Sequence, residues 1–263
     1  MTLIITHINR YGIIHASDSN LTGSDGKDAG KGQKTFPIPH LKAGLTVAGS
    51  YGVGRVSMDK WMNDFIQNQQ KNQNQSLENF SNNLKDELQT KMLPEEKQSG
   101  SLIHIAGYVE KDNKSHPEFW FIRNIHELNT KTGDYEKIDE TFEISEDFWN
   151  RDCPKDKLME VFKDANTFSR QLYINGFTPG RIGYNVVSKK LDEFFFGIWN
   201  VPDWKFRQPK SLEESERLVK LYMQVIGDLF VLSDYDAKYI GGGTQTHLIP
   251  QPSNIVDKSK DQK

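Results

Sequence analysis

Cysteine is the scarcest residue in this 263-residue chain. Cys153 stands alone, so no internal disulfide can form, and a lone thiol fits a reducing compartment. An excess of one charge is missing too. Lys plus Arg number 33 against 36 Asp plus Glu, a net charge of −3, with a pI near 6.2. A dedicated nucleic-acid binder would show a basic excess or stripe, so nucleic acid is excluded as the expected partner. Long hydrophobic runs are absent as well. The opening Met1-Thr-Leu-Ile-Ile-Thr-His has no basic n-region, and its apolar stretch is too short for a signal or membrane helix. The expectation is a cytoplasmic globular protein with no membrane partner. Core material is plentiful, with 15 Phe, 9 Tyr and 5 Trp. At ~150 residues per domain, the length suits one large domain. We read residues 1–250 as that domain, expanded over 110–210, with a polar tail at 251–263.

Residues 2–8 and 12–16 are short β-branched runs flanking Asn9-Arg10-Tyr11-Gly12, which reads as a β-hairpin. Both faces of each run are largely apolar, so the sheet should be covered on both sides. Residues 17–33 read as a long glycine-rich loop. Lys34–Ile38 and Ala43–Gly49 read as strands, ending in a Gly-Ser-Tyr-Gly turn. Met58, Trp61, Met62, Phe65 and Ile66 recur at helical spacing. Ser76 is placed to cap a second helix with a stripe of Leu77, Phe80, Leu84, Leu88 and Met92. Strands return at 101–109 and 118–125, with one more around 141–144. Helical patterns follow at 155–165, 181–199 and 211–230. The last opens on a Ser211-Leu-Glu-Glu capping box and carries Leu212, Leu218, Val219, Tyr222, Ile226 and Leu229. A glycine turn and a final strand close the chain before the tail. This order implies an α+β fold with sheets layered between helices.

Several chemistries fail on spacing. An EF-hand counted from Asp18 would need an acid at its twelfth position, where Ala29 stands. Gly30-Lys-Gly-Gln-Lys-Thr lacks the spacing of a phosphate-binding loop. The seven histidines show no zinc spacing, so neither metal nor cofactor is expected.

Thr2 is distinguished by position. Removal of Met1 would give one residue both a hydroxyl and a free α-amine. An amine titrating at ~7.7–8.0 can serve as that hydroxyl's general base. The plain alternative is an ordinary strand threonine. If Arg10-Tyr11 is a two-residue turn, facing residues sum to 21, so Thr2 faces Ser19 and lies diagonally beside Asp18. A carboxylate there is placed to hold a lysine, and Lys34 opens the next run. An ammonium beside the Thr2 hydroxyl would favour its ionised form.

The first fifty residues resemble the proteasome β-subunit pattern of the N-terminal nucleophile hydrolases. The matching pieces are Thr2, Gly12-Ile-Ile-His-Ala-Ser-Asp18-Ser19, Lys34-Thr-Phe-Pro-Ile and Leu45-Thr-Val-Ala-Gly49-Ser. Thr2 precedes Asp18 by 16 residues and Lys34 by 32, as in that family. The resemblance implies a four-layer αββα sandwich, two antiparallel sheets between helices. It implies a threonine nucleophile at Thr2, served by Asp18 and Lys34, with the Gly49 N–H in the oxyanion hole. It also implies a peptide or other amide as substrate, no metal, and a self-associating subunit, a homo-oligomer. Asp236-Ala-Lys-Tyr-Ile-Gly-Gly resembles the family's Asp-x-x-Ser-Gly-Gly element, with one residue more and no serine. The competing expectation is a non-catalytic subunit of the same architecture.

Overall fold

The computed structural model describes residues 2–23, 27–72, 75–111, 114–128, 135–146, 170–176, 184–232 and 240–252. The fold is mixed α+β with several antiparallel sheets. The expectations on Met1, Cys153, Asp236 and a helix at 155–165 lie outside the described residues.

β1 (Leu3–Asn9) and β2 (Gly12–Asp18) form the expected hairpin, and every residue of both is buried. Asn9 pairs with Gly12 and Ile4 with Ser17, so the register sums to 21. Next come β3 (Asn20–Thr22), β4 (Asp28–Lys31), β5 (Thr35–Ile38), β6 (Ala43–Gly49), β7 (Gly52–Val53) and β8 (Val56–Ser57). Helices α1 (Met58–Gln69), α2 (Leu77–Lys91) and α3 (Pro94–Lys97) lead to β9 (Ser101–Lys111), β10 (Lys114–Leu128) and β11 (Tyr135–Glu146). β12 (Arg170–Gly176), α4 (Tyr184–Trp199), α5 (Leu212–Val231) and β13 (Thr244–Pro250) complete the order. One sheet runs β12-β1-β2-β13 and the other β11-β10-β9-β6-β5.

Period-two alternation sorts the side chains into layers. Leu3, Ile5, Ile14 and Ala16 face α5, where they meet Leu218, Val219, Tyr222 and Ile226. Their neighbours Ile4, Ile8 and Ile13 face the other sheet and pack on Leu102, Ala106, Phe119 and Phe121. The far face of that second sheet, through Phe36, Leu45 and Ile103, receives Met62 and Phe65 of α1 and Phe80, Leu84 and Leu88 of α2. The Ser76 hydroxyl accepts from Asn79 N–H at 3.0 Å, which caps α2 as expected.

Four sequence expectations need correction. Residues 17–33 are not one loop: β2 runs to Asp18, and β3 pairs with β4 in an outlying hairpin. β12 was not expected, and it forms the edge of the first sheet. The box at Ser211 is half formed. Ser211 Oγ accepts from Glu214 N–H, but the Glu214 carboxylate takes Arg207 and the Lys210 N–H instead. Leu229 is 46% exposed, and Met223 and Phe230 take the buried positions of α5. The buried residues Leu218, Tyr222, Ile226 and Phe230 step by four, so Phe230 rather than Leu229 continues the covered face at the end of the helix.

Candidate active site

At the open end of the β1–β2 hairpin two charged side chains are buried together. Asp18 closes β2, and Lys34 precedes β5 on the other sheet. Their side chains are each 2% exposed, with Lys34 Nζ 3.3 Å from both Asp18 oxygens. The carboxylate also accepts the Leu3 N–H at 3.0 Å and the Asn20 N–H at 3.2 Å. Lys34 Nζ donates in addition to the Asn20 carbonyl. Loss of water is the largest influence on both groups. Burial pushes the Asp18 carboxyl above its ordinary range and the Lys34 ammonium below its own; the opposite charge beside each works against that shift.

Thr2 is 4% exposed and immediately precedes β1. The ladder ends at Ile4–Ser17, and the bond from Leu3 N–H to Asp18 ties the residue next to Thr2 to the ion pair. The structure therefore brings Thr2, Asp18 and Lys34 to one end of the hairpin. Gly49 ends β6 opposite Ser101, at a φ of +100° that favours glycine. Lys34 C=O accepts from Val47 N–H at 2.9 Å. Gly49 thus lies two residues, ~7 Å, further along that strand.

The glycine turn after α5 reaches the same end. Ser19 and Asn20 N–H groups donate to Gly241 C=O, and Ser19 Oγ donates to Gly242 C=O at 2.6 Å. Gly242 has φ +76°, and a Cβ there would come within 2.1 Å of Asn20 Oδ1, so a side chain at this position is strained. Gln245 follows on β13 and bonds to the backbone around Lys34. An open cleft of about 350 Å³ borders these groups, lined by Ser19, Lys31, Gly32, Gln33, Asp59 and residues 242–245. The Ser57 hydroxyl, above all, holds Asp59 below the usual carboxylate range.

A second polar cluster lies deeper, between the sheets. Thr6 Oγ1 is 3.1 Å from both His15 Nδ1 and His104 Nδ1. His15 Nε2 lies 3.3 Å from Ala106 C=O, and His104 Nε2 lies 2.7 Å from Asn175 Oδ1. Burial pushes both imidazoles down to about 3, so they are neutral near pH 7. His247 pairs with His15 across the strands, and both rings rest on Gly44, where a Cβ would clash at 2.6 and 2.9 Å. Among the described residues no group of three or more His, Cys, Asp or Glu is placed to hold a metal ion.

Sequence reasoning missed two contributors. Gln245 carries no motif, and only the pairing of β13 with β2 brings it to Lys34. The histidine cluster is a product of the same alternation that places Ile4 and Ile13 between the sheets. That alternation was readable, but the facing partners were not. No model of a known protein family matches this chain. Nor does any curated protein show significant similarity to it. No helix among the described residues is long and apolar enough to cross a membrane.

Proposed function

We propose that this protein is a threonine N-terminal-nucleophile amidohydrolase, a proteasome-like peptidase built as a four-layer αββα sandwich. Thr2 becomes its nucleophile when Met1 is removed. The observation that carries the reading is the Asp18–Lys34 ion pair, buried beside the residue that would become the terminus. A buried ion pair is a weak route to stability, because desolvation offsets most of its attraction. A buried lysine with a perturbed pKa, paired to a carboxylate that also holds the Leu3 N–H, suits catalysis at the neighbouring Thr2.

In this mechanism the Thr2 α-amine takes the hydroxyl proton as the oxygen attacks the amide carbonyl. Lys34 carries three N–H donors. One N–H shared between the two Asp18 oxygens and one given to the Asn20 carbonyl leave the third to stabilise the developing Thr2 alkoxide. Asp18 holds the ammonium charged and in place. The Gly49 N–H stabilises the tetrahedral oxyanion. Collapse expels the amine with the proton that the Thr2 amine took up. Water then hydrolyses the acyl-threonine ester and regenerates the enzyme.

The test is a panel of peptide epoxyketones followed by peptide mapping and intact mass. Closing the morpholine ring consumes the hydroxyl and α-amine of one residue together, which no internal serine or threonine can do. The expected result is a Thr2 adduct on a chain lacking Met1, abolished in Thr2→Ala. The burial of Thr2 favours one other reading, a non-catalytic structural or binding subunit with a closed site. A homogeneous Met1-bearing protein that no probe labels would establish that reading instead.

A further inference from the structure

Lys34 belongs to the segment entering β5, and β5 is the edge strand of its sheet. On one side Lys34 is fixed by the ladder, where its carbonyl accepts from Val47 N–H at 2.9 Å. An edge normally leaves its other backbone groups to water. Here a side chain from the opposite sheet takes the place of a neighbouring strand. Gln245 Oε1 accepts from Lys34 N–H at 2.8 Å and from Thr35 N–H at 3.3 Å. Gln245 Nε2 donates to Gly32 C=O at 2.7 Å. One primary amide thus serves three backbone groups, on Gly32, Lys34 and Thr35. Its own strand is anchored at the site too: Gln245 pairs with Ser17 and Thr244 with Asp18.

We propose that Gln245 is a positioning residue for the threonine chemistry: it spans the two sheets and fixes where Lys34 enters the site. The inference rests on the threonine-nucleophile reading above. The geometry has a specific logic. Asp18 and Gln245 sit on adjacent strands of one sheet, while Lys34 comes from the other sheet. Without a tie, breathing between the sheets would move the ammonium relative to Thr2 and leave Asp18 where it is. The Gln245 amide couples the Lys34 backbone to the sheet that carries both Thr2 and Asp18. Only an amide satisfies this arrangement without strain. A carboxylate would face the Gly32 carbonyl with lone pairs, and an ammonium could not accept from Lys34 and Thr35.

Gln245→Met keeps length and volume and removes all three hydrogen bonds. Gln245→Asn keeps the amide, but its shorter stem cannot reach Gly32 and Lys34 together. The experiment measures the rate of epoxyketone labelling at Thr2 against pH in both variants, beside thermal unfolding. The expected result is labelling slower on the order of 10²-fold, the scale of a misplacement by about an ångström. The ascending limb of the pH profile should also move to higher pH. That shift follows because a retreating ammonium no longer depresses the Thr2 amine. A merely structural role would lower the folded fraction and leave the midpoint unmoved, and that outcome overturns the proposal, as does an unchanged rate. Lys34 can also be titrated directly through its ¹³Cε resonance, assigned with Lys34→Arg. Its midpoint should change in both Gln245 variants, and an unmoved titration overturns the proposal. If wild-type protein is not labelled, the threonine reading fails, while the lysine titration still decides whether Gln245 sets the state of Lys34.

Discussion

The β1–β2 hairpin carries two buried polar regions that resolve burial in opposite ways. At its open end, Asp18 and Lys34 are charged partners surrounded by donors and acceptors that fit them. At its middle, Thr6, His15 and His104 are neutral. The middle joins the sheets through neutral contacts alone: Thr6–His15, Thr6–His104, His15–Ala106 and His104–Asn175. A fold selected for stability alone would fill both places with apolar side chains, as it does at Ile4, Ile8 and Ile13. The middle spends neutral hydrogen bonds to join the sheets. The end holds a full charge pair, which the proposed threonine chemistry would use.

Breaking the charged end should have the largest effect. Lys34→Ala leaves the Asp18 carboxylate buried without its cation, which costs about 3–5 kcal/mol of stability. The loss is measurable as a lower urea midpoint at unchanged m. Activity should fall further than unfolding explains, by ~10²–10³, the range of removing one oxyanion donor. Adding Asp18→Asn should restore much of the stability and none of the activity. If Lys34→Ala alone is as stable as wild type, the two groups do not form a buried pair.

The neutral middle should fail with acid instead. His15 and His104 titrate near 6.5 when unfolded and near 3 when folded. Between those values the unfolded chain binds protons that the folded chain refuses. Stability is therefore fully present above pH 6.5 and is lost as pH falls towards 3. The slope is ~1.4 kcal/mol per pH unit for each ring. His104→Gln should remove one such contribution, about 2 kcal/mol between pH 6.5 and 4.5. Urea midpoints of variant and wild type across that window test this, and parallel curves would refute it.

Thr6→Val probes the middle without a charge. It keeps the shape of the side chain and strands two imidazole nitrogens, which costs ~1–3 kcal/mol. The midpoint should fall equally at pH 7 and pH 8, unlike the acid effect on the histidines.

Much of this contrast was legible in the sequence at one end and almost none of it at the other. The turn at Arg10-Tyr11 fixes the register, and the register alone brings Asp18 beside the start of the chain. Helix stripes such as Phe80, Leu84 and Leu88 were equally readable, because local periodicity determines which face is buried. The histidine cluster depends on sheet-to-sheet contact between residues 98 apart in sequence, Thr6 and His104, and no local pattern encodes that distance. Gln245 is hidden for the same reason, 211 residues from the backbone it holds. β12 escaped because its pairing partner β1 lies 161 to 173 residues earlier in the sequence.

The smallest expected effect lies between the two regions, at Ser17. Its hydroxyl is 2.8 Å from Thr35 Oγ1, and Thr35 Oγ1 is 3.5 Å from Thr46 Oγ1. This chain of hydroxyls crosses between the sheets one residue from Asp18 and two from His15. It carries no charge, and each hydroxyl can rotate to a new partner. In Ser17→Ala the Thr35 hydroxyl can turn fully to Thr46, so no buried donor is stranded. The cost should be near or below 1 kcal/mol, the net worth of one neutral hydrogen bond. Labelling of Thr2 should keep its rate and its pH midpoint, and the acid slope of the histidines should not change. A loss of labelling in Ser17→Ala would mean that the charged end draws on the neutral hydroxyls beside it. The two regions would then be one network, and a double-mutant cycle of Ser17→Ala with Thr6→Val would show coupling beyond ~0.5 kcal/mol.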